Sequence, residues 1–176
     1  MLFVESSPIT KSCPRRVKKL NGIDSKAAFD AVATQDFGVV AVRLDGTGNL
    51  PETNILWRHQ KSIPYAPTPL LYQDVLYLVR NGGIVTALDP STGSVHKVGR
   101  AKGAIEGYYA SPVAADNKVF LTSETGKVTV LQAGAEWQIL ALNDLGEDVL
   151  ATPALADGRI YLRTREHLYC FKTPGR

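Results

Sequence analysis

The sequence predicts an all-β chain of four-stranded antiparallel blades, and three observations carry that prediction. Three segments repeat with starts 43 and 41 residues apart. Each alternates short β-branched and aromatic runs with polar turns, the signature of an antiparallel meander. The turns hold Gly, Pro, Asp and Asn at corresponding places in each copy. A unit of roughly 40–45 residues and about four strands is the period of a propeller blade. The chain holds three whole units and about half of another, so the expected fold is an incomplete β-propeller of about three and a half blades.

The copies are TPLLYQDVLYLVRNGGIVTALD from Thr68, SPVAADNKVFLTSETGKVTVLQ from Ser111 and TPALADGRIYLRTREHLYCF from Thr152. Each opens with Ser or Thr followed by Pro69, Pro112 or Pro153 and a short apolar run. A polar turn follows at Gln73-Asp74, Asp116-Asn117 and Asp157-Gly158. The next strand centres on Leu76-Tyr77-Leu78, Val119-Phe120-Leu121 and Ile160-Tyr161-Leu162. A second turn contains Gly83 and Gly126, while the third copy is one residue shorter there and has His167 near the glycine position. Another strand then ends at Leu88, Leu131 and Phe171. Outer strands are expected at 54–60, 94–100 and 136–144, the last with Trp137 inside it.

A weaker fourth copy begins at Gly38, where GVVAVRLDGTG matches GIVTALDPSTG from Gly83. Its preceding half should fall at 24–36, but DSKAAFDAVATQD has no Ser/Thr-Pro and reads as helical or irregular. In ALDPSTG, Asp89 can bond the backbone two residues on, Pro90 presets its own dihedral, and Gly93 takes a positive φ. The organisation is thus an N-terminal basic segment, irregular or partly helical, over 1–35; a partial propeller over 36–172; and a tail over 173–176.

Composition supports a globular chain: 44% apolar and 21% charged residues, with a net charge of +3. Residues 1–35 hold six basic side chains against three acidic ones, which is the whole excess. The balanced body excludes a dedicated nucleic-acid surface, which would show a basic face. The run RRVKK (15–19) reads as a solvated tail, with acidic lipid or nucleic acid as the competing contact. Cys13 and Cys170 lie 157 positions apart, with neither CxxC nor metal-ligand spacing, so no disulfide framework is expected. No window approaches the ~18 apolar residues of a membrane helix. The opening MLFVESSPITKSCPRRVKK lacks a secretory pattern, because its basic residues follow its short apolar stretch.

Catalytic motifs are wanting. VTALDPSTGSVHK contains no G-x-x-x-x-G-K-[ST], so it is a turn rather than a phosphate loop. GTG at 46–48 lacks the third glycine and following helix of a dinucleotide fingerprint. His59, His96 and His167 fall in separate repeats without partners at zinc-ligand spacing. No G-x-S-x-G elbow occurs.

On these residues the sequence resembles the pyrroloquinoline-quinone-like propeller repeat, carried by SPVAADNKVFLTSETGKVTVL and by Ala87, Asp89, Thr92 and Gly93 of the turn. That repeat occurs in quinoprotein alcohol dehydrogenases and in outer-membrane assembly lipoproteins. The stretch from about Gly38 to Phe171 is similar to the C-terminal part of bacterial assembly-lipoprotein-like propellers. The sequence departs from the family at Lys97, where a tryptophan often ends the outer strand, and in its blade number, since family propellers usually have seven or eight. The expectation is therefore a truncated gene, an open arc, or chains that associate through exposed blade edges to complete a ring. The resemblance implies periplasm or cell envelope for a full-length version.

The family's geometry gathers the connections 61–67, 101–109 and 143–151 on one face, with the turns 80–83, 123–126 and 164–167. That face would display Tyr65, Arg80, Tyr108, Tyr109, Glu124, Arg163 and Arg165 as binding residues, Tyr and Arg being enriched at interface hot spots. Tyrosines so placed also serve as wedges between blades. The expected function is a non-catalytic interaction module binding protein or peptide, with no cofactor and no metal. The alternative is a fragment of a quinoprotein-like dehydrogenase that lacks its cofactor-binding half. Of cofactors, only pyrroloquinoline quinone is implied by the resemblance, and no adjacent cysteine pair or calcium motif supports it.

Overall fold

A computed structural model of the chain describes residues 2–3, 38–43 and 51–172. Strands β1 (Leu2–Phe3), β2 (Val39–Arg43) and β3 (Ile55–His59) form a first antiparallel sheet. The second contains β4 (Leu70–Tyr72), β5 (Val75–Arg80), β6 (Ile84–Leu88) and β7 (Val95–Arg100). The third contains β8 (Val113–Ala115), β9 (Lys118–Thr122), β10 (Lys127–Gln132) and β11 (Gln138–Asp144). The fourth contains β12 (Ala154–Ala156), β13 (Arg159–Arg163) and β14 (Leu168–Lys172). Among the described residues the helical content is one 3₁₀ turn, Glu52–Asn54. Two four-stranded and two three-stranded sheets make a partial β-propeller equivalent to three and a half blades. The segment 24–36, the Asp45-to-Gly48 turn, the tail 173–176 and most of the basic stretch lie outside the described residues.

The central strands are apolar without alternation because both of their faces are covered. In β5, Leu76 and Leu78 pack with Leu88 against Val39, Ala41 and Trp57 of the first blade. Val75, Tyr77 and Val79 point the other way, into a cluster with Tyr108, Val119, Leu121, Leu131 and Trp137 of the third. Each fully buried leucine contributes about 1.5–3 kcal/mol relative to an exposed one. The Tyr77 hydroxyl is not orphaned at this depth: it accepts the Gly134 N–H at 2.6 Å.

The repeated polar residues are rungs between blades. Thr68 N donates to Ser111 Oγ at 2.9 Å, and Ser111 N donates to Thr152 Oγ1 at 3.0 Å. That chain explains the hydroxyls that open the second and third copies. Near the opposite ends of these strands Gln73 Nε2 bonds Asn117 Oδ1, and Asn117 N donates to the Tyr72 hydroxyl at 3.1 Å.

Two tryptophans lock neighbouring blades. Trp57 Nε1 donates to Pro90 O at 3.0 Å, and its ring lies over Gly93, where a Cβ would come within 2.6 Å of it. Gly93 of the ALDPSTG turn is therefore the floor of a docking site for the preceding blade. Trp137 lies just before β11 rather than inside it, and packs on Gly99 of β7. Lys97, the departure from the family pattern, holds that indole: its Nζ is 4.8 Å from the ring centroid and donates to Trp137 O at 2.7 Å.

The first turn of each whole repeat has two residues at positive φ: Gln73 and Asp74 at 50° and 55°, Asp116 and Asn117 at 50° and 56°, and Asp157 and Gly158 at 50° and 68°. That is the type I′ hairpin, which favours glycine second. Relief of the left-handed conformation, set against the added freedom of the unfolded chain, should leave Asp74→Gly more stable by about 0.5 kcal/mol. A rise in the urea midpoint without a change in slope is the expected result.

Candidate functional site

The face predicted to gather the linkers is assembled by backbone hydrogen bonds. The linker between the second and third blades is tied to its own blade by Gly82 N to Glu106 O at 2.9 Å. Glu124 N to Gly107 O, at 2.8 Å, ties it to the next. The following linker repeats the arrangement, with Val149 N to Glu124 O at 2.8 Å and Arg165 N to Asp148 O at 2.9 Å. Hairpins and linkers of the second, third and fourth blades are thus laced to one another through their backbones.

On this surface the predicted residues have different fates. Arg80 and Arg163 end β5 and β13 with exposed side chains, and Arg165 projects from the last hairpin. Tyr65 and Tyr109 are 53% and 43% exposed. Glu124 is half-buried and braces the linker, its Oε1 accepting the Gly107 N–H at 2.9 Å. Tyr108 is not displayed. Its side chain is completely buried, it donates to Ala104 O at 2.8 Å, and burial pushes its hydroxyl up to about 12. It wedges between the second and third blades, the alternative role of such tyrosines.

Beside Arg165 a cavity of about 610 Å³ opens between the third and fourth blades. Glu106, Thr125, Lys127 and Asp144 line one side, Gly146, Glu147 and Asp148 the floor, and Arg165 and Glu166 the other side. Five carboxylates face two cations. Lys127 Nζ contacts Glu106 Oε1 at 2.5 Å; that hydrogen bond lowers the carboxyl's pKa and raises that of the ammonium. Gly126 permits the close packing here: at φ +79°, its Cβ would lie 2.1 Å from Glu147 O.

Glu147 is the most constrained acid. Thr164 Oγ1 donates to its Oε2 at 2.5 Å, the Tyr169 hydroxyl donates to Oε1 at 2.7 Å, and His167 Nδ1 lies 2.8 Å from Oε1. These bonds, that from Thr164 first, hold its carboxyl down at about 2. The same contact raises the Tyr169 hydroxyl.

The sequence matches the family of the outer membrane protein assembly factor BamB over residues 31–173. The chain belongs to that family. No curated protein sequence matches it. The BamB structure from Moraxella catarrhalis superposes with a TM-score of 0.59 at 20% identity, over 79% of this chain and 41% of that one. A europium-containing methanol dehydrogenase aligns over 61% of this chain and 21% of that one, at 14% identity and a TM-score of 0.49. The chain therefore spans about two-fifths of the BamB structure, and the likeness at this identity is one of fold.

Of the predicted binding residues, only Arg165 lines the cavity of this BamB-family blade pair. Glu106 and Glu147 were missed, although a signal existed. They lie 41 residues apart, the same step as Ser111 to Thr152, so an acid recurs at one linker position. Among the described residues no three His, Cys, Asp or Glu side chains converge as metal ligands. Cys170 is the one cysteine among them, exposed and free.

The depressed Glu147 value makes a signed prediction. A carboxylate held at about 2 against an ordinary 4.5 contributes stability that is complete above about pH 4.5. That contribution fades as pH falls through the window to about 2. Glu147→Gln should flatten acid destabilisation across that window while lowering stability at neutral pH; urea midpoints measured from pH 7 to pH 2 test both.

Proposed function

We propose that the chain is a non-catalytic propeller module that binds a segment of another protein on its linker face, at the cavity between the third and fourth blades. The observation that carries this reading is the laced surface itself. A concave opening with five carboxylates and two cations is held by hairpins and linkers whose backbones are hydrogen-bonded to one another. Rigid, charge-bearing concavities suit recognition, because little ordering entropy is lost on binding. Tyr109 and Tyr65 add exposed aromatic area to the same face, and Arg80 and Arg163 add guanidinium groups.

Membership of the assembly-factor family supports a partner in the cell envelope, and so a periplasmic or envelope setting. No helix among the described residues is long and apolar enough to cross a membrane. The net acidity of the cavity selects for basic side chains on the partner, and the balanced body selects against nucleic acid. On this reading the module works without a quinone.

Photo-crosslinking tests the reading. A photoreactive amino acid at Tyr109 or Arg165 should give discrete adducts with envelope proteins, and the same group at Val98, on the outer strand β7, should not. Equal patterns from both faces would sink the proposal. Dye-linked alcohol oxidation after incubation with pyrroloquinoline quinone and calcium is expected to be absent; turnover would put the dehydrogenase-fragment reading in its place.

A further inference from the structure

Charge changes sign across the linker face. The linker 61–67 carries one lysine and no acid, the linker 101–109 one lysine and one glutamate, and the linker 143–151 three acids and no base. One linker position shows the trend by itself: five residues before the opening hydroxyl of a repeat stands Ile63, Glu106 or Glu147. The outer strands follow it, since β7 ends on Arg100 and β11 on Asp144.

The cations gather at the junction of the first and second blades. Arg80 stands opposite Ile84, and Ile84 opposite Arg100, so the two guanidinium groups flank one row of the ladder. Residues opposite one another in a sheet share a face. Leu78, two positions before Arg80, packs on the first blade, which puts this row on the first-blade side. Arg100 Nη1 donates to Gly82 O, tying its guanidinium to the hairpin. Lys61 opens the linker at the same junction. All three side chains are exposed, and among the described residues none forms an ion pair. Between this pole and the acidic cavity the middle linker offers Ile105 and Tyr109, 60% and 43% exposed.

We propose that the linker face takes an extended polypeptide segment of split charge. Acidic residues of that segment lie over Lys61, Arg80 and Arg100, apolar ones over Ile105 and Tyr109, and basic ones in the acidic cavity. The inference rests on the linker-face reading and adds the order of charges along the partner. Opposite charges held at the two ends fix a register and reject segments of the wrong order, which is specificity more than raw affinity. An anionic membrane surface is the other ligand that guanidinium groups attract. Such a surface is a plane, and the five carboxylates of the cavity stand on the same face as the cations and repel it. Packed sheets stand about 10 Å apart, so poles two blade spacings from each other are separated by roughly 20 Å, about six residues of extended chain.

Fluorescence anisotropy with labelled synthetic peptides, made in both chain directions, tests it. The probe has a block of glutamates, a spacer of about six alternating leucines and serines, and a block of lysines. The parent chain should bind it at least ~10-fold more tightly than a peptide of the same composition whose glutamates and lysines alternate. Lys61→Gln/Arg100→Gln should abolish that difference, and Lys61→Gln alone should reduce it. Neither should change the affinity for the spacer-and-lysine peptide without glutamates, a value that also reports an intact fold and cavity. Equal binding of block and alternating peptides, with the lysine peptide still bound, would overturn the inference and leave the linker-face reading standing. Failure of all three peptides to bind would overturn both. Phosphatidylglycerol vesicles bound by the parent and released by the double substitution would overturn the inference too, assigning the cations to lipid.

Discussion

A blade of this chain is a small twisted sheet that cannot bury its own two faces, and everything else follows from that constraint. The strand β5 shows it most directly. Leu76 and Leu78 are sealed by the first blade and Val75, Tyr77 and Val79 by the third. A sheet covered on both sides carries few polar residues between its ends, Thr86 and Thr129 being the buried ones in mid-strand of the third strands. Its polar chemistry must go to the ends of the strands, and there the Ser/Thr rungs, the type I′ turns and the laced linkers are found. The functional face is a by-product of the same logic. Linkers must cross from one blade to the next, and their buried N–H and C=O groups require partners. The hairpins supply them.

The fold was legible because this constraint writes itself into sequence at a fixed period. The hydroxyl of Ser111 is needed to accept a bond from one blade, and its N–H donates to the next. Substitution by alanine there removes the acceptor that ties Thr68 and leaves the backbone bond to Thr152 in place. Gly93 was legible for its turn but not for its packing, since the Trp57 ring that occupies the space of a Cβ comes from 36 residues upstream. Trp137 was misplaced by a residue because the apolar run QILAL hides where pairing begins. A buried aromatic just before a strand looks the same in sequence as one at its start.

The site was much less legible. Tyr108 and Tyr109 are neighbours of one type, and backbone direction alone sends the first into the core and the second to solvent. Nothing local distinguishes them. The acids of the cavity were hidden differently: Glu106 and Glu147 sit in linkers, where charge is ordinary, and only their shared phase in the repeat marks them. Their environments then diverge. Glu106 takes a lysine from β10, while Glu147 takes a threonine, a tyrosine and a histidine from the fourth blade. Equivalent positions in a repeat share a backbone, not a chemistry.

The outer strands complete that lesson. Positions facing inward from β6 and β10 converge on small and aliphatic residues, because neighbouring sheets press on them from both sides. Across the ladder, the residue opposite Ala41, Ala87 or Val130 is a tryptophan, a lysine and an alanine in turn. What is kept there is a bulge in the pairing and the branched aliphatic beside it, which are demands of register rather than of packing. A strand recognised by register tolerates almost any side chain that points to water. For this reason the outer strand is the hardest part of each blade to find by composition, and the easiest to find once the ladder is known.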